Sequence, residues 1–203
     1  MAWRARVRMY RRFEALVRPT AATRVLDVGC TPDLNTAYNN FFERLYPYPA
    51  RLTACSIEDC SNLEGEFPGL SFRRIVERRL PAADREFDAA VSFAVLEHVG
   101  SNERQREFLA EMARVSEAFV LYTPYRWFPV EVHTIVPFLH WLPAPWYRPV
   151  LKRLGFGFYA EEENLNLLGR RDVRRLLPAH GRATLRLLKT FGLPSHIEVH
   201  WTR

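Results

Sequence analysis

Four short groups of residues in this 203-residue chain have types and spacings that can support chemistry. In RVLDVGCTPDLN (24–35), an apolar run ends around Asp27 and is followed by a turn at Gly29, which is how a strand delivers its chain to a nucleotide-like ligand. The other three groups are Glu97 with His98, Glu131 with His133, and Tyr125 with Arg126 and Trp127. Histidine and glutamate can move protons, and arginine beside tryptophan can bind a sugar or a phosphate. The chain therefore has candidates for ligand binding and for acid–base chemistry.

The elements that must position these groups alternate between strand and helix. Strands are predicted at 24–28, 51–57, 70–76, 87–96 and 118–124. Helices are predicted at 3–18, 34–46, 58–67, 101–115 and 169–178. This alternation predicts an α/β fold with a Rossmann-like open sheet that is mainly parallel and has helices on both faces. The tail at 183–201 is predicted to form a C-terminal antiparallel hairpin around a Gly-Leu-Pro turn.

A single domain over residues 1–203 accommodates these elements. An amphipathic helix is expected within residues 1–20, where it can cap a core, cover a pocket or lie on a membrane surface. Residues 124–160 are rich in proline and aromatic side chains, so they are predicted to form a lid inserted after the fifth strand. Ligands of open parallel sheets bind beyond the carboxyl ends of the strands, which is where the candidate groups are expected.

Composition and charge restrict the class of protein. The chain has 29 Lys and Arg against 23 Asp and Glu, a net charge of +6, and arginines are concentrated in 1–18 and 169–177. This charge can attract phosphates, nucleic acid or an anionic membrane, and it is also compatible with an ordinary solvated surface. Neither a secretory leader nor an apolar stretch of about 18 residues is recognised. The three cysteines lack disulfide or zinc spacing, so reduced thiols in a cytoplasmic protein without a metal site are expected.

The segments VLDVGC (25–30) and FDAAVSFAVLEHV (87–99) resemble the class I S-adenosylmethionine-dependent methyltransferases. VLEHV after the fourth strand is characteristic of their small-molecule and glycan-directed branch. TPYRWFPVEVHTIVPFLHWLP (123–143) resembles a version of that branch that usually has Thr-Pro-Asn-Arg-x-Phe-Pro-x-Glu-x-His-Thr, and EENLNLL (162–168) resembles a segment that accompanies it. The resemblance covers about residues 20 to 200 and implies S-adenosylmethionine as the cofactor.

The resemblance also implies which residues contact the cofactor. Asp27 would accept from the ammonium group, and Gly29 would let backbone N–H groups approach the ligand. An acid after strand two normally binds the ribose; that slot is Ser56 here, with Glu58 and Asp59 displaced from it. The remaining candidates are Cys30 and Asp33 in the first loop, Glu77 for the adenine, and Ser92, Phe93 and Ala94 beneath the methionine end.

The first loop departs from the family pattern. Thr31 and Asp33 stand where further glycines are usual, and Pro32 removes a backbone donor. Each lost charged hydrogen bond would cost roughly 1.5–3 kcal/mol, or about ten- to a hundredfold in affinity. Asp33, Glu58 or Asp59 can compensate if it reaches the ligand. The sequence leaves open a retained cofactor site and a degenerate one.

Catalytic and substrate-binding residues are suggested in the same way. Methyl transfer needs alignment with the sulfonium, and a hydroxyl acceptor also needs its proton removed. His133 is expected to be the base and Glu131 to orient it, because the two side chains face the same side if this stretch is extended. Glu97 and His98, directly after strand four, are expected near the transferred methyl group. The expected substrate-binding residues are Tyr125, Arg126, Trp127, Asn164 and Asn166.

Together these patterns predict a bacterial, cytoplasmic enzyme that methylates an oxygen of a small-molecule, glycan or lipid-linked acceptor. The N-terminal helix is one candidate for peripheral contact of this enzyme with a membrane. A non-catalytic methyltransferase-like binding module with a degenerate cofactor loop is the alternative. A nucleic-acid methyltransferase is disfavoured, because no Asn-Pro-Pro-Tyr type motif follows strand four.

Overall fold

A computed structural model describes residues 2–36 and 38–203 of the chain. The helices are α1 (Ala2–Val17), α2 (Phe41–Leu45), α3 (Asn62–Glu66), α4 (Asn102–Val115), α5 (Ala144–Arg153), α6 (Gly157–Ala160) and α7 (Arg170–Leu176). The strands are β1 (Val25–Val28), β2 (Leu52–Ser56), β3 (Ser71–Arg74), β4 (Phe87–Phe93), β5 (Ser116–Pro124), β6 (Arg182–Thr190) and β7 (Leu193–Thr202). Short 3₁₀ helices occur at Pro49–Arg51, Leu96–His98 and Leu139–Trp141.

The strands form a seven-stranded sheet in the order β3-β2-β1-β4-β5-β7-β6. β1 pairs in parallel with β2 and β4, and β2 pairs in parallel with β3. β1 and β2 are buried along their whole length, as expected for apolar strands at interior positions of a parallel sheet. The strand order reverses between β1 and β4, and such a switch point is where open α/β sheets bind ligands. The predicted Rossmann-like fold is confirmed.

The helix predicted at 34–46 is much shorter in the structure, where α2 is the helical part among the described residues of this range and residue 37 lies outside them. Asparagine accounts for the difference, because its side chain competes with the helix for backbone groups. Asn40 adopts a left-handed conformation with φ of +49° directly before α2. Likewise, the strand predicted at 87–96 ends at Phe93, because Ala94 has a φ of +57°.

The C-terminal hairpin has a different turn from the one predicted. Phe191 and Gly192 form the turn with φ of +52° and +80°, whereas Leu193 and Pro194 belong to β7. Two central residues with positive φ are typical of the type I′ turn, whose twist matches that of the flanking strands. The Gly-Leu-Pro turn was therefore placed one position too late.

We expect Phe191→Asn to stabilise the protein. A non-glycine left-handed residue costs roughly 1–2 kcal/mol, and asparagine tolerates this conformation better than phenylalanine. Phe191 is 75% exposed, so little packing is lost. The free energy of unfolding should rise by about 0.5–1 kcal/mol, measured as a higher midpoint in urea. An unchanged or lower midpoint would contradict the turn assignment.

The chain divides into two compact units. The first contains residues up to Ser92 together with Glu111–Val120 and His200–Arg203, and the second contains Phe93–Ala110 and Leu121–Val199. The segment predicted to be a lid (124–160) lies entirely within the second unit, and its function as a lid stays a prediction.

Helix α1 packs against the aromatic core of the first unit. Its side chains Met9, Tyr10 and Phe13 are buried. The ring centroid of Phe42 lies 5.0 Å from that of Phe13 and 5.7 Å from that of Tyr10. Trp3 at the start of the helix is 39% exposed, so the buried side chains in its middle fit core capping, and the role of the helix stays a prediction. In the described part of the chain, no helix combines the length and apolar character needed to cross a bilayer.

Candidate active site

The first candidate group lies at the end of β1. Asp27 is 6% exposed, and its register partners in the neighbouring strands are Ala54 and Val91. Gly29 has a φ of +107°, a conformation that favours glycine, and its N–H donates to the carbonyl of Cys55 at 2.8 Å. The predicted turn is thus present directly after a buried acid at the switch point.

A side-chain clamp holds the loop that follows Gly29. The side-chain amide of Asn40 donates to the carbonyl of Thr31 at 2.7 Å, and the backbone N–H of Thr31 donates to Asn40 Oδ1 at 3.0 Å. This reciprocal pair fixes the backbone at Thr31, where the family pattern has a glycine. The loop is therefore ordered by hydrogen bonds despite the missing glycines.

Asp33 is engaged within the same loop. One carboxylate oxygen accepts from the backbone N–H of Asn35 at 2.8 Å, and the other accepts from the side-chain amide of Asn39 at 2.8 Å. Asp33 is therefore bonded to neighbouring residues of its own part-buried loop. Asp27 is consequently the better candidate of the two for a ligand ammonium group.

A second buried acid, Glu43 on α2, lies beside Asp27. Burial raises the pKa of Asp27 well above its ordinary range, and the charge of Glu43 raises it further. Burial also raises the pKa of Glu43, which is 4% exposed. Two neighbouring carboxyl groups that are buried away from water repel each other when both are ionised. A cation placed next to them would relieve that repulsion, so the pair is suited to bind an ammonium group.

We expect these two acids to lower the stability of the ligand-free protein as the pH rises. The raised folded-state pKa values mean that the folded state binds more protons than the unfolded state. Their contribution is complete below the unfolded carboxyl pKa of about 4 and is lost as the pH rises through the folded-state values. Urea unfolding from about pH 4 upward should show this loss, and Asp27→Asn should reduce it. An identical pH dependence in the variant would count against the coupling of Asp27 and Glu43.

The candidates for ribose and adenine contacts follow β2 and β3. Ser56 is buried, and its hydroxyl accepts from the backbone N–H of Glu58 at 3.3 Å. Asp59 caps the N–H of Ser61 at 3.0 Å, and this bond lowers the pKa of Asp59. Glu58 is exposed, and no hydrogen bond of its carboxylate is among those that the described residues make. Glu58 is therefore more available to a ribose than Asp59.

Glu77 differs from the other cofactor candidates in its position. It lies with Arg78 in a two-residue turn, both with positive φ, closed by a bridge between Val76 and Arg79. Both turn residues are exposed. A contact between Glu77 and an adenine stays a prediction, and the geometry of this turn adds no support to it.

The end of β4 carries three further candidates. The Ser92 hydroxyl donates to the carbonyl of Val28 at 2.9 Å and so joins β4 to β1. The Phe93 ring stacks on Tyr122 with centroids 5.2 Å apart. The N–H of Ala94 donates to the carbonyl of Tyr122 at 2.8 Å. These contacts fix the chain as it leaves β4 and turns towards Glu97 and His98.

The two predicted histidine groups meet in the second unit. His98 Nε2 lies 3.1 Å from His133 Nε2. His98 Nδ1 donates to the carbonyl of Asn164 at 2.6 Å, and His133 Nδ1 donates to Glu131 Oε1 at 2.6 Å. His98 and His133 are 35 positions apart in the sequence but adjacent in the structure. The Nδ1 hydrogen bond of each ring fixes its orientation.

Glu97 is fully buried beside these histidines. Its Oε2 accepts from the Thr123 hydroxyl at 3.0 Å, whereas its Oε1 has no hydrogen-bond partner among the described residues. Burial raises the pKa of Glu97, although the nearby histidines partly offset this effect. Glu97, His98 and His133 each place one potential ligand atom within 4.8 Å of the other two. This arrangement can hold a proton or a metal ion.

The geometry at Glu131 corrects one premise of the sequence analysis. The stretch is a turn rather than an extended segment, and the Glu131 carboxylate accepts the backbone N–H groups of His133 at 3.0 Å and Thr134 at 2.6 Å. Burial opposes ionisation of Glu131, but its bonds from His133 outweigh it and lower the pKa to about 2. Burial likewise opposes the charge on His133, and Glu131 outweighs it and raises the pKa of His133. The pairing therefore results from turn geometry.

The aromatic and basic candidates of the lid segment lie partly exposed. Arg126 donates to the carbonyl of Leu142 at 3.1 Å, and its guanidinium lies 5.5 Å from the centroid of the Trp127 ring. Trp127 is 48% exposed, so one side of this pair is accessible. The backbone N–H of Tyr125 donates to the backbone carbonyl of Ser195 in β7 at 2.8 Å. Substrate contacts of these residues stay a prediction.

The two predicted asparagines have structural bonds. The side-chain amide of Asn164 donates to the carbonyl of Phe158 at 3.0 Å, and that of Asn166 donates to the carbonyl of Gly100 at 2.8 Å. The backbone N–H of Asn166 also donates to the carbonyl of Glu97 at 2.7 Å. This segment holds Glu97 and His98 in place, which favours a supporting role over substrate contact.

Residues 26–118 match the family of domains described as "Methyltransferase domain". The match runs from β1 into β5 and includes Asp27, Gly29 and Glu97 with His98. This stretch of the chain matches a methyltransferase domain, and the fold is that of the class I S-adenosylmethionine-dependent methyltransferases.

Solved structures share the fold of this chain, whereas no curated protein sequence matches it. The PH0226 protein from Pyrococcus horikoshii OT3 is 13% identical, with a TM-score of 0.63 over 98% of this chain and 90% of that one. The N-methyltransferase NodS from Bradyrhizobium japonicum WM9, solved with S-adenosylhomocysteine, is 14% identical, with a TM-score of 0.57 over 97% and 86%. The N-terminal domain of EvdMO1 with S-adenosylhomocysteine bound is 17% identical, with a TM-score of 0.58 over 97% and 80%. At such identities the likeness establishes the fold.

Sequence reasoning missed three buried residues that contact or support the candidate groups within their own units. Glu43 and Gln105 were placed on predicted helices without a role, and Thr123 was treated as the end of a strand. Gln105 is fully buried, and its side-chain amide donates to the carbonyls of Leu96 and Asn166 at 3.0 Å each. A charged residue directly after two phenylalanines was the only local signal for Glu43.

Proposed function

We propose that this methyltransferase transfers the methyl group of S-adenosylmethionine to an oxygen atom of a small-molecule, glycan or lipid-linked acceptor. The observation that carries the proposal is the cluster of His98 and His133 with Glu97 and Glu131. Such a cluster can handle the proton of a hydroxyl acceptor, which an amine that is already deprotonated does not require.

The cofactor site is proposed to lie at the carboxyl ends of β1 and β2. Asp27 and Glu43 would bind the ammonium group of the cofactor, because two buried acids gain most from a cation. The backbone beyond Gly29 would approach the ligand closely, and Glu58 would bind the ribose hydroxyls. NodS and the EvdMO1 domain were both crystallised with S-adenosylhomocysteine, which supports the same ligand for this fold.

The proposed reaction is an in-line displacement. The acceptor hydroxyl gives its proton to His133 Nε2, and its oxygen forms a bond to the methyl carbon. The bond between carbon and sulfur breaks with its electron pair on sulfur, so the positively charged sulfonium becomes neutral S-adenosylhomocysteine. Glu131 holds His133 Nδ1–H, which leaves Nε2 as the proton acceptor.

A glycan or sugar acceptor is supported by two observations. Arg126 lies against Trp127, and an exposed indole face can pack against a sugar ring while the guanidinium binds an anionic group. A structure of the EvdMO1 N-terminal domain was determined in the presence of S-adenosylhomocysteine and D-fucose. We further propose a cytoplasmic location, because the three cysteines are buried free thiols.

Calorimetry with S-adenosylhomocysteine, followed by a transfer assay with labelled S-adenosylmethionine, tests this function. Binding in the micromolar range and label transfer to sugar or lipid-linked hydroxyl compounds are expected. Transfer only to amines would overturn the assignment of oxygen as the acceptor. Absence of binding at millimolar cofactor would overturn the enzyme and leave a non-catalytic binding module.

A further inference from the structure

We propose that Glu97, His98 and His133 bind a divalent transition-metal ion, and that Zn²⁺ is the ion their donor set fits. The proposal concerns the cluster used in the proposed function and deepens it. It differs from the sequence-based expectation of a protein without a metal site, which was argued from cysteine spacing and stays a prediction.

The hydrogen bonds of the histidines fix the positions of their protons. His98 Nδ1 faces the carbonyl of Asn164 at 2.6 Å, and a carbonyl oxygen can only accept. His133 Nδ1 faces Glu131 Oε1 at 2.6 Å, and both oxygens of that carboxylate also accept backbone N–H bonds. Both Nδ1 atoms therefore carry hydrogen, so in the neutral rings both Nε2 atoms carry lone pairs.

These two lone pairs face each other with the nitrogens 3.1 Å apart. The contact is repulsive unless a positive charge lies between the rings. A shared proton or a metal ion can supply that charge. The choice between them depends on what else surrounds the two nitrogens.

Glu97 provides a third donor that favours the metal ion. Its side chain is fully buried, and Oε1 has no hydrogen-bond partner among the described residues but lies 3.9 Å from His98 Nε2. A buried carboxylate oxygen without a donor costs free energy unless a cation is close. The Thr123 hydroxyl holds the other oxygen at 3.0 Å and so orients the carboxylate.

The geometry fits zinc. Two nitrogens that are both 2.0–2.1 Å from a tetrahedral zinc ion lie about 3.4 Å apart, close to the separation of the two Nε2 atoms. Two histidines and one carboxylate are a known set for catalytic zinc, which keeps its fourth position open. Metal-binding histidines usually donate their other N–H to a carbonyl or a carboxylate, as His98 and His133 both do. The side chains of His98 and His133 are 34% and 18% exposed, so solvent can reach the site.

A bound ion would change the route of the acceptor proton. With both Nε2 atoms on the metal, His133 no longer takes a proton. The acceptor hydroxyl would bind at the open position, where the cation lowers its pKa, and would release its proton to solvent water. The acceptor oxygen would then bond to the methyl carbon as the carbon–sulfur bond breaks with its electron pair on sulfur. Acceptors whose hydroxyl can reach the ion are therefore the expected substrate class.

Metal binding can be measured on the chelator-treated full chain without cofactor or acceptor. We expect calorimetry with Zn²⁺ to show one ion per chain with a submicromolar dissociation constant, and Co²⁺ to give visible absorption bands without a thiolate charge-transfer band. His98→Ala and His133→Ala should weaken Zn²⁺ binding at least about a hundredfold, and Glu131→Gln about ten- to a hundredfold. His180→Ala, which changes an exposed histidine outside the cluster, is the matched control and should leave binding unchanged.

Three results would overturn the proposal. One is wild-type protein that binds no stoichiometric Zn²⁺ or Co²⁺ at micromolar free metal. Another is binding that persists in His98→Ala and His133→Ala. The third is a cobalt spectrum dominated by thiolate, which would place the ion on the cysteines. If a variant does not fold, the wild-type cobalt spectrum decides by itself. Failure of metal binding with normal S-adenosylhomocysteine binding leaves the proposed function intact, whereas metal binding without methyl transfer overturns only that function.

Discussion

Replacing Glu131 with glutamine is expected to reduce methyl transfer by about a hundredfold or more while leaving S-adenosylhomocysteine affinity unchanged. The carboxylate accepts the Nδ1–H of His133 at 2.6 Å, and it also accepts the backbone N–H groups of His133 and Thr134. An amide has only one accepting atom, so one of these bonds must be lost. The His133 ring would then lose its orientation or take the tautomer in which Nε2 carries the hydrogen.

Two further variants test whether the effect is specific to the charge of Glu131. Glu161→Gln changes an exposed glutamate that pairs with Lys152 at 2.7 Å, and its transfer rate should equal that of the wild type. Glu131→Asp keeps the charge and should retain more activity than the glutamine variant, mainly in kcat rather than in KM. A Glu131→Gln rate within threefold of the wild type would contradict the role of this carboxylate in positioning His133.

Replacing Asp27 with asparagine is expected to change affinity and stability in opposite directions. The affinity for S-adenosylhomocysteine should fall by about ten- to a hundredfold, because a charged hydrogen bond to the ligand ammonium is worth roughly 1.5–3 kcal/mol. The ligand-free protein should unfold at a higher temperature at neutral pH, because one of two adjacent buried acids is removed. The raised pKa of Asp27 is the physical origin of this second effect.

Asp59→Asn is the matched control for this experiment. Asp59 is exposed and caps Ser61, so its replacement should leave both the affinity and the melting temperature nearly unchanged. Calorimetry and thermal unfolding on the three proteins give the comparison. Full affinity in Asp27→Asn would refute the placement of the ammonium group, and a large loss in Asp59→Asn would assign the ribose to Asp59 instead of Glu58.

The sheet could be predicted from the sequence because its strands carry strong local signals. β1, β2 and most of β4 are buried strands rich in apolar side chains, as expected for strands covered on both faces. The asparagines between Asn35 and Asn40 form side-chain bonds to the loop, so the helix they interrupt was predicted too long. The hairpin turn was misplaced because the two positive φ values fall on Phe191 and Gly192, and phenylalanine gives no local sign of such a conformation.

The candidate site was predictable only in its separate parts. The spacing of Glu131 and His133 and the adjacency of Glu97 and His98 are visible in the sequence. Their meeting depends on the path of the chain between them, which no local pattern encodes. Glu43 was missed for the same reason, because its importance comes from Asp27 on another element.

The bonds between Asn40 and Thr31 have a consequence for how the cofactor arrives. A loop rich in glycine samples many shapes and loses that freedom when a ligand immobilises it. Here the asparagine has already selected one shape, so less conformational entropy remains to be lost on association. Asn40→Ala should therefore slow association more than it speeds dissociation, because the variant must find the binding shape by chance. Compared with a glycine-rich loop, this loop is less adaptable, but its binding conformation is formed before the cofactor arrives.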